Sequence, residues 1–205
     1  MQRAYQEGGL SLIFQRAKNR FFLTYSAWYF CRDLKEPIPP FYPPLKASLI
    51  QDPLDLVIKY MKGKKYLSEE EYRIGQENGH WFLGLFIGEE VKGFCKCGFK
   101  NIYFYDSRET LSLAEGVSFI YEYEVDEQLR GKGMGKYLIS SVLGLLAEKG
   151  WRYVFCHIPP KNTASIRVVE DCGFRKVGFI RFVELIGFKW KSKKVEDLLE
   201  QAITK

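Results

Sequence analysis

The chain has 205 residues, 46% hydrophobic, 16% aromatic and 27% charged, which is the composition of a soluble globular protein with material for one sizeable core. A net charge of +6 suits an anionic ligand and is too weak by itself to imply nucleic acid. Its longest apolar runs, such as "WFLGLFIG" at 81–88, fall well short of the roughly 20 residues that span a bilayer, and the first residues lack a signal peptide's hydrophobic stretch and cleavage site.

Five cysteines without a CxxC pair point to reduced thiols and a cytoplasmic location, and with two histidines no structural metal is expected. Along the chain, Leu10, Ile13, Phe14 and Ala17 recur at helical spacing, which predicts an amphipathic N-terminal helix within residues 1–21. Such a helix packs on its own domain or lies on a membrane surface. "FLTYSAWYFCRDL", 22–34, reads as a first strand. The next stretch, "EPIPPFYPPL" at 36–45, holds five of the eight prolines and reads as a stiff surface loop beside a binding site. Residues 46–63 carry Leu54, Val57, Ile58 and Met61 on one face behind Asp52–Pro53 and predict a helix. A Ser-x-x-Glu box at Ser68–Glu71 predicts a short helix ending near Gly75 or Gly79.

From residue 80 a hairpin turning near Gly88–Glu90 is expected, then a strand over 114–125. In that strand Val117, Phe119, Tyr121, Tyr123 and Val125 should face one way, and Ser118, Ile120, Glu122 and Glu124 the other. A helix over 134–149 stops at Gly150, and "WRYVFCHI" forms a strand ended by Pro159–Pro160. A helix opened by Asn162 runs to Gly173, followed by one or two strands over 174–190 and a short helical tail over 193–203. This order predicts an α/β protein whose middle strand–helix–strand unit is a parallel crossover.

The loop "LRGKGMGK", 129–136, enters the 134–149 helix and raises the question of an anion. A Walker A motif fails, because Arg130 stands where its first glycine belongs and Tyr137 where its hydroxyl belongs. The dinucleotide fingerprint fails at Lys136, which replaces its third glycine. The pattern that fits is Arg-x-x-Gly-x-Gly, with Arg130, Gly133 and Gly135. There the main-chain amides of 131–136 face an anion at a helix N-terminus, and Arg130, Lys132 and Lys136 add charge.

"VDEQLRGKGMGKYL" resembles the acetyl-CoA-binding motif of the GNAT (GCN5-related N-acetyltransferase) superfamily, and "NTASIRVVEDCGF", 162–174, resembles that family's second signature. The resemblance is specific over 117–190. It implies a GNAT-like mixed central sheet flanked by helices, to which this chain adds its N-terminal helix. It also implies an enzyme that transfers an acetyl group from acetyl-CoA to an amine by direct attack, with no metal. On this reading the cofactor's diphosphate rests on Arg130, Gly131, Lys132, Gly133, Met134, Gly135 and Lys136. The pantetheine arm pairs with the backbone near Tyr123 and Val125, and Asn162 contacts the cofactor or caps its helix.

Glu122 and Glu124 are the expected base, since an ammonium cannot attack and a carboxylate on this strand is common in the family; two on one face would repel and raise one pKa. Exposure on the sheet surface, or attraction of a cationic substrate, is the plainer alternative for the pair. His157 is a weaker candidate. Many family members carry a tyrosine acid seven residues after the asparagine; here that position is Val169. Tyr121, Tyr123, water or no acid at all then serves the leaving thiolate.

The expected division is an N-terminal helix over 1–21, a transferase domain over 22–190 and a tail over 191–205. The expected partner is a small-molecule or peptide amine rather than nucleic acid, with membrane-surface contact and a monomer or homodimer left open. A catalytically weak acyl-CoA-binding sensor or partner module is the alternative reading of the same motifs.

Overall fold

The computed structural model describes residues 22–42, 45–51, 69–104, 109–185, 188–197 and 202–204. The expected N-terminal helix lies outside the described residues, as does most of the helix expected over 46–63. The part of that second segment inside them is extended: Ala47–Gln51 form strand β2.

The elements in chain order are β1 (Phe22–Asp33), β2, α1 (Glu69–Glu77), β3 (Trp81–Ile87), β4 (Glu90–Gly98), β5 (Asn101–Phe104), β6 (Glu109–Leu113), β7 (Val117–Val125), α2 (Met134–Glu148), β8 (Tyr153–Ile158), α3 (Thr163–Asp171), β9 (Arg175–Leu185), β10 (Phe188–Val195) and β11 (Ile203–Thr204). A 3-10 turn over Glu127–Leu129 precedes α2. Eight strands make the central sheet in the order β10-β9-β1-β8-β7-β4-β3-β2, and β11-β6-β5 make a small second one. β7 and β8 are the parallel pair, as the strand–helix–strand pattern predicts, and the other pairs in the sheet are antiparallel. The closing segment gives two strands. Where a helical tail is expected, residues 191–195 complete β10 and 203–204 form β11, while Asp197 and Ala202 between them are helical.

α2 buries Met134, Leu138, Ile139, Val142, Leu143 and Leu146 against one face of the sheet, where Phe30, Cys95, Cys97, Ile120, Cys156 and Ile158 meet it. Burying these six side chains contributes on the order of 10 kcal/mol. The interior glycine Gly144 costs about 1 kcal/mol, so burial decides that the segment is a helix. The opposite face packs Tyr29, Phe119, Phe155 and Ile180 under Ile102 and Leu113 of the second sheet.

Two long-range features escape the local pattern. β1 lies inside the sheet between β8 and β9, with Ala27 and Phe30 at 0% exposure. β7 carries a bulge: Cys97 pairs with Ile120 but Lys96 pairs with Glu122, leaving Tyr121 as the extra residue. The bulge reverses the alternation expected for this strand. Up to Ile120 the even-numbered residues face the helices, whereas beyond it Tyr123 and Val125 do.

Candidate active site

β7 and β8 pair over Val117–Ile120 against Tyr153–Cys156 and then part. Beyond the last paired residues, β7 continues to Val125 with only β4 at its side, and the chain turns over Glu127–Leu129 into α2. A cleft of about 750 Å³ opens at this point. Its walls are Tyr123–Val125 from β7, Leu129–Gly131, Gly133 and Gly135–Lys136 from the loop and α2, and Asn162, Ser165 and Arg167 from α3.

The loop geometry follows from its glycines. Gly131 and Gly133 take φ of +73° and +77°, left-handed values that side-chain-bearing residues rarely adopt. Gly133 is the N-cap of α2 and supplies no side chain to its first turn, which also lacks an acidic residue. The first helical bond runs from the Tyr137 N–H to the Gly133 carbonyl at 3.1 Å, so the amides of Met134, Gly135 and Lys136 precede the ladder. One amide departs from the outward set expected over 131–136: Lys132 N–H donates back to Leu129 at 3.3 Å. Where a Cβ would stand on Gly131 there is open space, so a ligand can approach the main chain closely.

The charged groups are partly engaged. Lys136 pairs with Asp171 at the end of α3. Arg130 lies 3.4 Å from Glu127 and 4.0 Å from Glu124. Lys132 is exposed and Met134 fully buried, and neither lines the cleft. Asn162 caps α3, its Oδ1 accepting from the Ser165 N–H at 3.2 Å, and also borders the cleft.

The two carboxylates of β7 do share a face, but each has its own cation. Glu122 pairs with Lys96, a lysine only 3% exposed that also sits over the rings of Phe82, Phe94 and Tyr121. Glu124 lines the cleft and Glu122 does not. Tyr123 donates its hydroxyl to the Ser165 carbonyl at 3.4 Å, and burial raises its pKa so that it holds its proton.

His157 is ringed by Tyr25, Tyr29 and Phe119 at 5.6–5.7 Å, and burial depresses its pKa to about 4. Tyr121 points to His80, whose Nδ1 lies 3.3 Å from the hydroxyl while Nε2 lies 3.0 Å from the Asn101 carbonyl. Val169 is 1% exposed in the core. Among the described residues no cluster of His, Cys, Asp and Glu could hold a metal, and no helix is long and apolar enough to cross a membrane.

Phe41, Arg167 and Val168 border the cleft without having been expected there. α3's helical period gave a signal for Val168, since Asn162, Ser165 and Val168 fall three apart. Phe41 had only its place in the proline-rich loop.

A mixed sheet that opens beside a glycine-capped helix, with an asparagine-capped helix across the gap, defines an α/β fold with a cleft where its parallel pair parts. The model of the Acetyltransferase (GNAT) family matches residues 48–174, and the chain belongs to that family. Solved structures agree in fold. A GCN5-related N-acetyltransferase from Sphaerobacter thermophilus matches with a TM-score of 0.56 at 15% identity, over 91% of this chain and 57% of its own. A GNAT-family acetyltransferase from Colwellia psychrerythraea has a TM-score of 0.56 at 14% identity, over 85% of this chain and 62% of its own. AAC(6')-Iy, solved with a bisubstrate analogue joining CoA to an acetylneamine, has a TM-score of 0.50 at 18% identity, over 64% of this chain and 92% of its own. The chain thus spans under two thirds of the first two relatives. No curated protein matches it in sequence.

Proposed function

We propose that the chain is an acyl-CoA-dependent N-acyltransferase that moves an acetyl group from acetyl-CoA to an amine by direct attack. The observation that carries this reading is the meeting, in one cleft, of the parted end of β7, the start of α2, which no side chain caps, and the start of α3. The open main chain at Gly131 and the pre-ladder amides of Met134–Lys136 fit a diphosphate, with Arg130, Lys132 and Lys136 adding positive charge. Beyond Ile120 the backbone of β7, from Tyr123 to Val125, is the stretch that would pair with a pantetheine arm.

When bound, acetyl-CoA supplies an acyl group activated as a thioester. The chain's own part is proton movement. A protonated amine has no lone pair, so a carboxylate must take a proton before the N–C bond forms and the C–S bond breaks. Glu124 is the residue proposed for this step, because it borders the cleft while Glu122 is held by Lys96. Tyr123 borders the cleft, so it is the acid proposed for the departing sulfur, a role that Val169 cannot fill; it regains its proton from the nitrogen of the tetrahedral adduct.

Direct attack is favoured over a cysteine intermediate. Burial pushes Cys31 up to about 12 and raises Cys95, Cys156 and Cys172, keeping these thiols protonated. All five cysteines are buried and free, which suits a reducing cytoplasm.

The test is thiol release from acetyl-CoA in the presence of an amine panel that includes aminoglycosides, polyamines and peptide amines. Release that depends on one amine supports the enzyme. Tight CoA binding with no release from any amine supports instead a sensor module, the reading that the buried Val169 favours.

A further inference from the structure

The connection between β1 and β2 joins the third strand of the sheet order to the eighth, and so must cross the molecule. It does so over the helix-bearing face. At its start Arg32, 4% exposed, reaches Glu36 Oε2 at 2.5 Å, the Pro37 carbonyl at 2.6 Å and the Gly173 carbonyl behind α3 at 3.1 Å. At its end the Tyr137 hydroxyl of α2 donates to the Ala47 carbonyl at 3.0 Å. Pro37, Pro39 and Pro40 stiffen the span, and Ile38 packs on the core.

This strap brings Phe41 against the loop that opens α2. Phe41 Cζ lies 2.5 Å from where a Cβ on Gly133 would stand, and the ring forms part of the cleft wall beside Arg130 and Gly131. The ring is itself only half-buried, so its position is set by the anchored strap and not by a pocket of its own.

We propose that Phe41 is a cofactor-binding residue. On the coenzyme A reading above, its ring walls the diphosphate end of the cleft. It keeps water from the amides of the α2 N-terminus and holds Gly133 in its left-handed turn. An apolar wall lowers the local dielectric, which strengthens hydrogen bonds from main-chain N–H groups to an anion. The contribution depends on a diphosphate being present and is absent for a ligand that ends at the pantetheine hydroxyl.

Titration calorimetry with CoA and with pantetheine, on the wild-type chain and on Phe41→Ala and Phe41→Tyr, separates the outcomes. Phe41→Ala should weaken CoA about tenfold, an amount set by one partly buried ring. Pantetheine affinity should hold within about twofold, a difference of under half a kcal/mol. Phe41→Tyr should restore CoA binding, with near-ultraviolet circular dichroism unchanged throughout. Equal loss for both ligands, or no loss for either, overturns the role of Phe41 while leaving the cofactor reading standing. A wild-type chain that binds no CoA overturns that reading and this proposal with it.

Discussion

Glu122 and Glu124 stand two positions apart on one face of β7, and their neighbours divide their work. Glu124 borders the cleft, with Arg130 4.0 Å away; Glu122 neutralises a lysine sealed among aromatic rings. Glu124→Gln should therefore lower kcat about 100-fold, the range of a lost proton acceptor, with CoA affinity unchanged by calorimetry. Glu122→Gln removes the carboxylate from a lysine 3% exposed and should destabilise by about 3 kcal/mol, read in urea unfolding. If the two variants exchange these effects, the assignment of roles is wrong.

His157 makes the second residue-scale prediction. Unfolded, it takes a proton as pH falls through 6.5; folded, it resists until about 4. A pKa depressed by burial means that the unfolded state binds more protons across this window. Stability should then fall from about pH 6.5 downward, by up to about 3 kcal/mol, and level off near 4. Burial lowers His80 too, which adds to the decline below pH 6.5. His157→Phe should flatten the curve, and a curve equally steep in that variant would sink the explanation. The sequence shows a histidine at a strand end; the three rings around it come from two other strands, β1 and β7, and are invisible until those strands pair with β8.

At the scale of elements, the glycine loop and the two helices that border the cleft were legible because their chemistry is local. Gly131 and Gly133 are required by φ, Asn162 by the Ser165 amide, and the helix of 134–148 by its apolar spacing. The bulge at Tyr121 was not legible, since nothing in "VSFIYEYEV" marks where β4 slips by one residue, and it alone decides which of the later side chains meet the helices. The strap was half legible. Its prolines predict stiffness, but its path over α2 follows from where β1 and β2 lie in the sheet.

Gly133 is where loop and strap meet. Gly133→Ala meets both a left-handed backbone and the ring of Phe41, so about 2 kcal/mol of stability should be lost together with CoA affinity. Adding Phe41→Ala should recover part of the stability, because only the backbone cost remains. A double variant whose losses simply add would show that ring and loop are uncoupled.

For the whole molecule, the matched family region of 48–174 leaves out β1, β9 and β10, yet β1 supplies a central strand. Cutting the chain to 48–174 exposes the edge of β8, with its buried Val154, Phe155 and Cys156. That fragment should aggregate or lose fixed tertiary structure, as read by size exclusion and near-ultraviolet circular dichroism, while adding back β1 alone should not suffice without β9. A monomeric fragment with native-like signals would refute the central role given to β1. The sequence identifies 22–34 as a strand by its aromatic run, but a run carries no address, and its pairing with residues more than a hundred positions later is a property of the closed sheet.

That address also sets an order of events. Strands β3, β4 and β7 find partners close by in the chain, whereas Trp28 waits for Ile158 and Phe179. Emerging from a ribosome, the segment rich in Tyr, Trp and Phe is made before any of these strands and docks only after β8 and β9 have followed. Loop closure over such a distance is slow. A newborn chain therefore carries one sticky, unpartnered strand through most of its synthesis, and refolding should show a late phase reported by Trp28 fluorescence as it closes on Phe179, 4.7 Å away in the finished sheet.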